Sequence, residues 1–283
     1  MKAPSFDYAR PTSLPEAFAL LERHRDGARI LAGGQSLMAT LNMRLSTPEI
    51  LVDINAIEGL SGIALDGGML RIGAMTRHFE VERSPLVARH APLIAQAMPH
   101  IAHAAIRNRG TFGGSLAFAD PAAELPACAV ALAARMVLQS AKGRRTVEAA
   151  EFFKGLYRTA LTPDEILVAC EVPVATAAAR HGFAELARRH GDYAIIGIAV
   201  HAILQDRRFT AARLVYFAAG DRPMLAKSAA AALEGRPNTT ETRDAAADAL
   251  AHDLQPPDDL NADPAMRLHL AKVLTRRVLA GFE

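Results

Sequence analysis

Two segments of the chain place a pair of adjacent glycines shortly before a serine, and this pattern constrains the fold more than any other. The segments are Ala32-Gly33-Gly34-Gln35-Ser36 and Thr111-Phe112-Gly113-Gly114-Ser115. Adjacent glycines permit positive φ angles and leave one face of the backbone without Cβ atoms, so that a row of N–H groups can close on an anion such as pyrophosphate. Most Gly-Gly pairs are only tight turns, but two segments of the same form favour a phosphate site.

The residues around the first glycine pair predict a helix and a strand before the glycine turn and a second helix after it. Ser13 and Glu16 form a capping box that begins an amphipathic helix, which Gly27 ends. Residues 28–31 then read as a short strand, and residues 36–42 as a return into helix. Free N–H groups at the start of a helix attract negative charge, so this arrangement is the one that a phosphate site needs.

The rest of the chain predicts a mixed α+β fold, because hairpins and short helices follow one another without a regular βαβ repeat. We predict strands at 49–54 and 165–172, hairpins at 62–73 and 135–147, proline-broken helices at 76–105 and an apolar helix at 122–134 that Asp120 caps. Beyond a patternless stretch at 173–180, we predict strands at 183–188, 195–204 and 210–217 and helices that start at residues 225, 239 and 264.

Composition excludes several classes of protein. The 283 residues carry 32 basic and 30 acidic side chains, and this balance argues against a nucleic-acid partner. Only two cysteines occur, too few for an iron–sulfur site, and both lie in apolar contexts typical of a reducing compartment. We find no apolar run long enough to span a membrane and no secretion signal, so we expect a cytoplasmic protein without membrane insertion.

Few single residues carry chemistry by themselves. Glu124 is suited to accept hydrogen bonds from a ribose, and equally it is suited to the first turn of a helix, where the helix dipole favours an acid. Tyr193 is suited to lie over a planar ring, although a core or interface tyrosine is the ordinary interpretation. The histidines at 78, 90, 100 and 103 cluster in the helical region, but His100 and His103 lack a carboxylate or cysteine at ligand spacing, so surface or capping roles are favoured over a metal site. We assign no catalytic residue and no metal ligand.

Three segments, in this order and at this spacing, resemble the medium, FAD-binding subunits of the molybdenum hydroxylases, the family of xanthine dehydrogenase and carbon monoxide dehydrogenase. They are residues 31–38 (LAGGQSLM), residues 106–115 with 120–126 (IRNRGTFGGS and DPAAELP), and residues 188–194 (RRHGDYA). The resemblance covers nearly the whole chain. It implies the flavin-binding fold of vanillyl-alcohol oxidase, with two α/β subdomains at about 1–55 and 56–175. A C-terminal domain at 180–283, with a three-stranded antiparallel sheet and a helical bundle, is implied as well.

The resemblance also implies the residues that bind FAD. Both glycine segments would wrap the diphosphate, Ile101 or Ala102 would pack on the cofactor, and Glu124 would bind the adenosine ribose. Ile166 or Leu167 would lie near the adenine and Tyr193 near the isoalloxazine. The residues of the two glycine segments are Leu31, Ala32, Gly33, Gly34, Gln35, Ser36, Leu37 and Met38, and Thr111, Phe112, Gly113, Gly114 and Ser115. Phe112 is bulkier than the usual family residue, and no His or Cys near the first segment is placed for covalent flavin attachment, so we expect non-covalent FAD.

By the same resemblance, the chain is an oxidoreductase subunit that works with others. A large subunit with the molybdenum cofactor would oxidise the substrate, and a small subunit with two [2Fe–2S] clusters would pass the electrons to this FAD and on to an external acceptor. A dimer of heterotrimers is expected. The alternatives are a stand-alone flavoprotein oxidase or reductase, which would purify alone with turnover, and a nucleotide-binding protein without a redox role, which would be colourless.

Overall fold

The computed structural model describes residues 2–282, and its first layer is a small parallel sheet. Its strands, in the order β1-β3-β2, are β1 Asp7–Ala9, β2 Ala28–Leu31 and β3 Ile50–Asp53. Helix α1, Leu14–His24, begins at the predicted cap, where the Ser13 hydroxyl accepts a hydrogen bond from the Glu16 amide. Helix α2, Leu37–Asn42, follows the first glycine segment as predicted.

The second layer is a five-stranded antiparallel sheet. Its strands, in the order β4-β5-β10-β6-β7, are β4 Ile63–Asp66, β5 Met69–Gly73, β6 Arg135–Ser140, β7 Gly143–Glu148 and β10 Ile166–Pro173. The two predicted hairpins are confirmed as β4–β5 and β6–β7, and β10 lies between them. A separate short hairpin, β8 Phe153–Gly155 and β9 Arg158–Thr159, precedes β10 and was not predicted.

Short helices cover this sheet. They are α3 His78–Arg83, α4 Pro85–His90, α5 Pro92–Ala97, α6 Ala104–Arg107, α7 Phe112–Phe118, α8 Glu124–Ala131 and α9 Ala149–Phe152. Pro85 and Pro92 stand at the start of α4 and α5, as predicted, because a helix start does not need their missing N–H groups. Helix α8 is shorter than the predicted 122–134: Asp120 instead accepts from the Ala122 amide in a turn, and Ala133 takes a left-handed φ of 50° that ends the helix.

The third layer combines an antiparallel sheet with helices. Its strands are β11 Ala179–Leu186, β12 Ile196–Gln205, β13 Arg208–Phe217 and β14 Met224–Leu225, and its helices are α10 Lys227–Leu233, α11 Thr240–Asp253 and α12 Pro264–Ala280. The three predicted strands are the long ones, and the two-residue β14 extends the sheet to four strands. Asp263 caps α12 and Gly281 ends it, as predicted. Within residues 2–282 no helix is both long and apolar enough to cross a membrane.

Helix α8 joins the second and third layers. All of its residues are buried, and its Leu125 belongs to the same core as Leu70 and Met136 of the second sheet and Phe217 of the third. Because one continuous apolar core spans both sheets, the third layer is fixed against the second by burial of apolar surface.

One buried cation ties helix α12 to two loops between these layers. The Arg267 side chain is 2% exposed, and its Nη1 donates to the carbonyl oxygens of Ile195 at 2.6 Å and Ala218 at 3.0 Å. The amide of Ala218 in turn donates to the carbonyl of Pro121 at 2.7 Å. Arg267 therefore fixes the segments before β12 and after β13 against α12, and through Ala218 the loop before α8, because buried carbonyls need a donor.

We expect R267M to lower the free energy of unfolding by about 2–4 kcal/mol, because it leaves the carbonyls of Ile195 and Ala218 without their donor and removes the cation that is paired with Asp259. Arg213 is the matched control: it also donates to a backbone carbonyl, that of Val130, but to one carbonyl only. R213M should cost about 1 kcal/mol. Urea denaturation of the two variants measures the difference, and equal losses would contradict the special role of Arg267.

Candidate cofactor-binding site

A cavity of about 800 Å³ lies where the three layers meet. The first layer contributes the segment after β2, the second contributes the segments around α7 and at the start of β10, and the third contributes residues 191–193. This volume lies within the roughly 300–1,000 Å³ that is typical of small-molecule and cofactor sites. The cavity is therefore large enough for an extended ligand that touches all three layers.

The first glycine segment packs directly against the backbone of the residues that precede the second segment. A Cβ built on Gly33 would lie 2.4 Å from the carbonyl oxygen of Arg109 and 2.8 Å from the Cα of Gly110. No side chain fits in that space, so only glycine allows the two chain segments to come this close. The next residue, Gly34, has a φ of 72°, which turns the chain back toward α2.

The turn leaves a row of amides unused. Among the described residues, none of the backbone N–H groups of residues 33–37 donates a hydrogen bond to the protein, and the Gln35 side chain closes the turn by donating to the carbonyl of Gly33 at 3.0 Å. Consecutive free N–H groups before a helix form a concave site of positive potential. The first segment thus has the anion-binding geometry that its sequence predicts.

The second segment has a different geometry. It starts helix α7, with the Thr111 hydroxyl accepting from the Gly114 amide at 3.1 Å. The amides of Phe112 and Gly113 donate to the carbonyls of Thr76 and Ala74, and that of Ser115 donates to Thr111. The expectation of free N–H groups at this second segment is therefore wrong. It contributes a wall of small side chains and the Ser115 hydroxyl instead.

The cavity brings together most of the residues that the sequence singled out. The ones that line it are Ala32, Gly33, Gly34, Gln35, Ser36, Leu37, Ile101, Ala102, Thr111, Gly113, Gly114, Ser115, Glu124, Ile166, Leu167 and Tyr193. Leu31, Met38 and Phe112 do not line it. Leu31 ends β2, Met38 is 38% exposed, and Phe112 is 1% exposed in the core beneath the second sheet, which accommodates its larger ring.

Two acids form part of the wall. Glu124, the first residue of α8, is 8% exposed, and Asp120 is 9% exposed. Burial, and to a smaller extent the charge of Asp120, raises the pKa of Glu124 to about 7. Burial also raises the pKa of Asp120. Glu124 therefore occupies both positions considered from sequence, the first turn of a helix and the wall of the site.

Two tyrosines stand at the cavity. Tyr193 lines it and is 66% exposed, so it is not the core residue of the ordinary interpretation. Sequence reasoning missed Tyr157, which lies in the β8–β9 turn with a φ of 53° and has its hydroxyl 3.5 Å from Asp120 Oδ2. Its ring packs 5.1 Å from that of Phe118, centroid to centroid. Nothing local distinguishes Tyr157 in the sequence, because its place depends on a left-handed turn.

The histidines do not assemble into one site. His78 is 5% exposed, contrary to the surface or capping role favoured from sequence, and its Nε2 lies 2.9 Å from the carbonyl of Thr111. Burial lowers its pKa to about 4, so the ring is neutral at pH 7. His100 instead contacts Glu185. Within residues 2–282, no group of three or more His, Cys, Asp or Glu side chains is placed to hold a metal ion.

The residues fit the FAD that the resemblance implies. The unused amides of residues 33–37 match a diphosphate, and the missing Cβ atoms at Gly33 and Gly34 let it approach the backbone. The wall offers an acid for hydroxyl donors at Glu124 and an aromatic ring at Tyr193. The cavity thus offers partners for the diphosphate, the hydroxyl groups and a planar ring of a flavin dinucleotide.

Comparison with known families gives the same assignment. Residues 4–175 match the family described as the FAD binding domain in molybdopterin dehydrogenase. Residues 181–281 match the family described as the CO dehydrogenase flavoprotein C-terminal domain. The two matches follow one another along nearly the whole chain.

Individual relatives are similar over their full length. Caffeine dehydrogenase subunit beta of Pseudomonas sp. (strain CBB1) is 40% identical over 284 residues, which cover 99% of this chain and 95% of the relative. The structure of carbon monoxide dehydrogenase from Hydrogenophaga pseudoflava superposes with a TM-score of 0.96 at 38% identity, covering 99% of this chain and 98% of that one. Quinoline 2-oxidoreductase from Pseudomonas putida 86 gives a TM-score of 0.93 at 40% identity, with coverages of 99% and 97%.

Matches of this length and identity, together with the fit of the cavity, show both the fold and the family. The chain belongs to the FAD-binding medium subunits of the molybdenum hydroxylases, in the xanthine dehydrogenase family, and is an FAD-dependent oxidoreductase subunit.

Proposed function

We propose that this chain transfers electrons from the [2Fe–2S] clusters of a small partner subunit to an external acceptor, while a large subunit with the molybdenum cofactor oxidises the substrate. The row of free amides beside a bare backbone, at residues 33–37, is the observation that carries the flavin part of this proposal. When bound, FAD supplies the reversible two-electron chemistry that protein side chains lack. The multi-subunit part is supported by relatives that are named as subunits and medium chains.

We propose the following roles for the cavity residues. The amides of residues 33–37 hold the diphosphate, and Thr111, Gly113, Gly114 and Ser115 form the opposite wall. Glu124 accepts from the adenosine ribose, Ile101 or Ala102 packs on the cofactor, Ile166 or Leu167 lies beside the adenine, and Tyr193 lies beside the isoalloxazine. Leu31, Met38 and Phe112 support the two glycine segments from behind.

Two side chains beside the first glycine segment hold its backbone in the orientation that faces the ligand. Arg77, which donates through Nη1 to the carbonyl of Arg109 and through Nη2 to Asn55 Oδ1 at 2.6 Å, connects the first layer with the second beside the glycine contact. Asn55 also donates to the carbonyl of Ala32 at 2.9 Å. These bonds hold the amides of the first segment toward the cavity, so that little reorganisation is needed when an anion binds.

We propose further that the complex is a dimer of heterotrimers in the cytoplasm. The buried, unpaired Cys128 and Cys170 support a reducing compartment. We also propose that residues 1–175 form the FAD-binding part, with subdomains at about 1–55 and 56–175, and that residues 180–283 form a second domain. The two family matches, at 4–175 and 181–281, support this division.

We expect G33A to weaken FAD binding, because its methyl group meets backbone at 2.4 Å and the two glycine segments must separate. Overpacking of this kind costs about 1–3 kcal/mol, which corresponds to roughly 5- to 150-fold in dissociation constant. The measurement is titration of the flavin-free chain with FAD. G281A is the control, because a methyl group there approaches only one atom, at 3.4 Å, and G281A should bind like wild type. Equal binding by G33A would contradict the proposed diphosphate site.

Purification of the tagged chain from its native host tests the assembly. We expect a yellow preparation in which a cysteine-rich small subunit and a large molybdenum subunit co-elute, as judged by absorption spectroscopy and mass spectrometry. A yellow chain that elutes alone and turns over a substrate would instead establish a stand-alone flavoprotein. A colourless chain that does not bind added FAD would contradict the proposed role of the cavity.

A further inference from the structure

Glu185 is a buried acid that the roles proposed above leave unused. It lies on β11, and its side chain is 5% exposed. Its Oε1 lies 3.3 Å from His100 Nδ1, while its Oε2 is buried without a hydrogen-bond partner among the described residues. A buried carboxylate oxygen without a donor is unfavourable, whereas a protonated carboxyl can occupy such a place.

The groups around Glu185 favour the protonated form. Its cross-strand partner on β12 is the uncharged Gly197, and the side chain in contact with it is the imidazole of His100. Burial, and then the charge of Glu124, raises the pKa of Glu185 to about 8. At pH 7 Glu185 is therefore protonated in most molecules, whereas an exposed glutamate with a pKa of about 4.3 is ionised.

His100 connects this acid with solvent. Its side chain is 35% exposed, its ring packs 5.0 Å from that of Phe183, and the ring of His190 lies 6.0 Å away in the turn before Tyr193. Burial, and then the neighbouring His190, lowers the pKa of His100, which favours the neutral ring. A neutral imidazole has one donor and one acceptor nitrogen, which suits it to pass a proton between water and a carboxyl group.

We propose that Glu185 and His100 form a proton-exchange pair behind the cavity residues Ile101 and 191–193, and that Glu185, where it is ionised, takes up a proton that offsets the negative charge that reduction of the bound flavin adds. This inference rests on the proposed electron-transfer function. The two electrons come from the reduced iron–sulfur clusters of the partner, and each cluster loses one. The pair supplies only a proton: at a pH above the pKa of Glu185 of about 8, where this carboxyl is ionised, an O–H bond forms at it with a proton drawn from water through His100. That bond breaks again when an external acceptor removes the electrons.

Proton counting on reduction tests the pair. The FAD-loaded full chain is photoreduced without oxygen by a sacrificial electron donor, in weak buffer with a pH indicator, between about pH 7 and pH 9, where Glu185 titrates; protons released by the donor are the same for every variant and cancel in the comparison. Wild type should take up more protons per flavin than E185Q, and the excess should be largest above the pKa of Glu185. E171Q is the matched control, because the partly buried Glu171 is paired with Arg71 at 3.5 Å, and it should keep the wild-type count. Equal proton counts in wild type and E185Q would overturn the proposal.

Two further readouts separate this inference from the function on which it rests. In the flavin-free chain, the infrared carbonyl band of a protonated carboxyl should titrate near pH 8 and be lost in E185Q. No such band would overturn the inference even if FAD binds normally. H100Q keeps Glu185 but interrupts its contact with solvent, so proton uptake after a reducing flash should be slower than in wild type, and an unchanged rate would overturn the role of His100. Failure of wild type to bind FAD would contradict the proposed function instead, and the infrared titration would still decide whether Glu185 holds a proton.

Discussion

The backbone contact between Gly33 and the Arg109–Gly110 peptide is the constraint on which the site depends. The space at Gly33 holds no Cβ, so the first layer can lie directly against the second, and the loops of both layers then face one cavity. The same contact turns the amides of residues 33–37 away from any partner in the protein. Unused amides are costly in a folded chain unless water or a ligand binds them, which suits the turn to the proposed anion site.

The two glycine segments are similar in sequence but have different structural roles. The first presents free donors, while the second uses its donors to begin helix α7 and to join Ala74 and Thr76. A Cβ on Gly113 would lie 2.4 Å from the Cβ of Ala74, so this glycine allows a helix to pack closely on the second sheet. In the proposed site, one segment binds the ligand through its backbone, and the other provides space for the ligand to lie against it.

The electrostatics of the site follow from burial. Glu124, Asp120 and Glu185 lie in or behind one wall, and burial is the main cause of the raised pKa of each. Glu124 and Glu185, with pKa values raised to about 7 and about 8, hold protons near neutral pH, and a change of charge in the cavity shifts their protonation. A cavity with such a wall is suited to a cofactor whose charge changes with its redox state.

Local patterns predicted much of this fold. The capped helix α1, the hairpins β4–β5 and β6–β7, the proline-started helices and the cap of α12 at Asp263 all follow from short-range rules and are confirmed. The features that escaped prediction depend on distant partners. Strand β1 is three residues long and exists because it pairs with β3, and Glu185 looks like any strand residue until His100 and Glu124 are placed beside it.

The family assignment came from motif order and spacing, but it does not distinguish the two glycine segments. That difference required hydrogen-bond partners such as Thr76, which lie far away in sequence. Tyr157 was not predicted as a site residue for a related reason, because a left-handed turn places its ring at the cavity.

The central claim is that the amides of residues 33–37 bind the diphosphate of FAD, and amide hydrogen exchange with and without FAD tests it most directly. The structure predicts that these amides exchange fast in the flavin-free chain and become protected when FAD binds, because a ligand then occupies them. Residues 112–115, already bonded within the protein, should be protected in both states and change little. The account would be contradicted by FAD binding that leaves residues 33–37 unprotected, or by protection that appears only at residues 112–115.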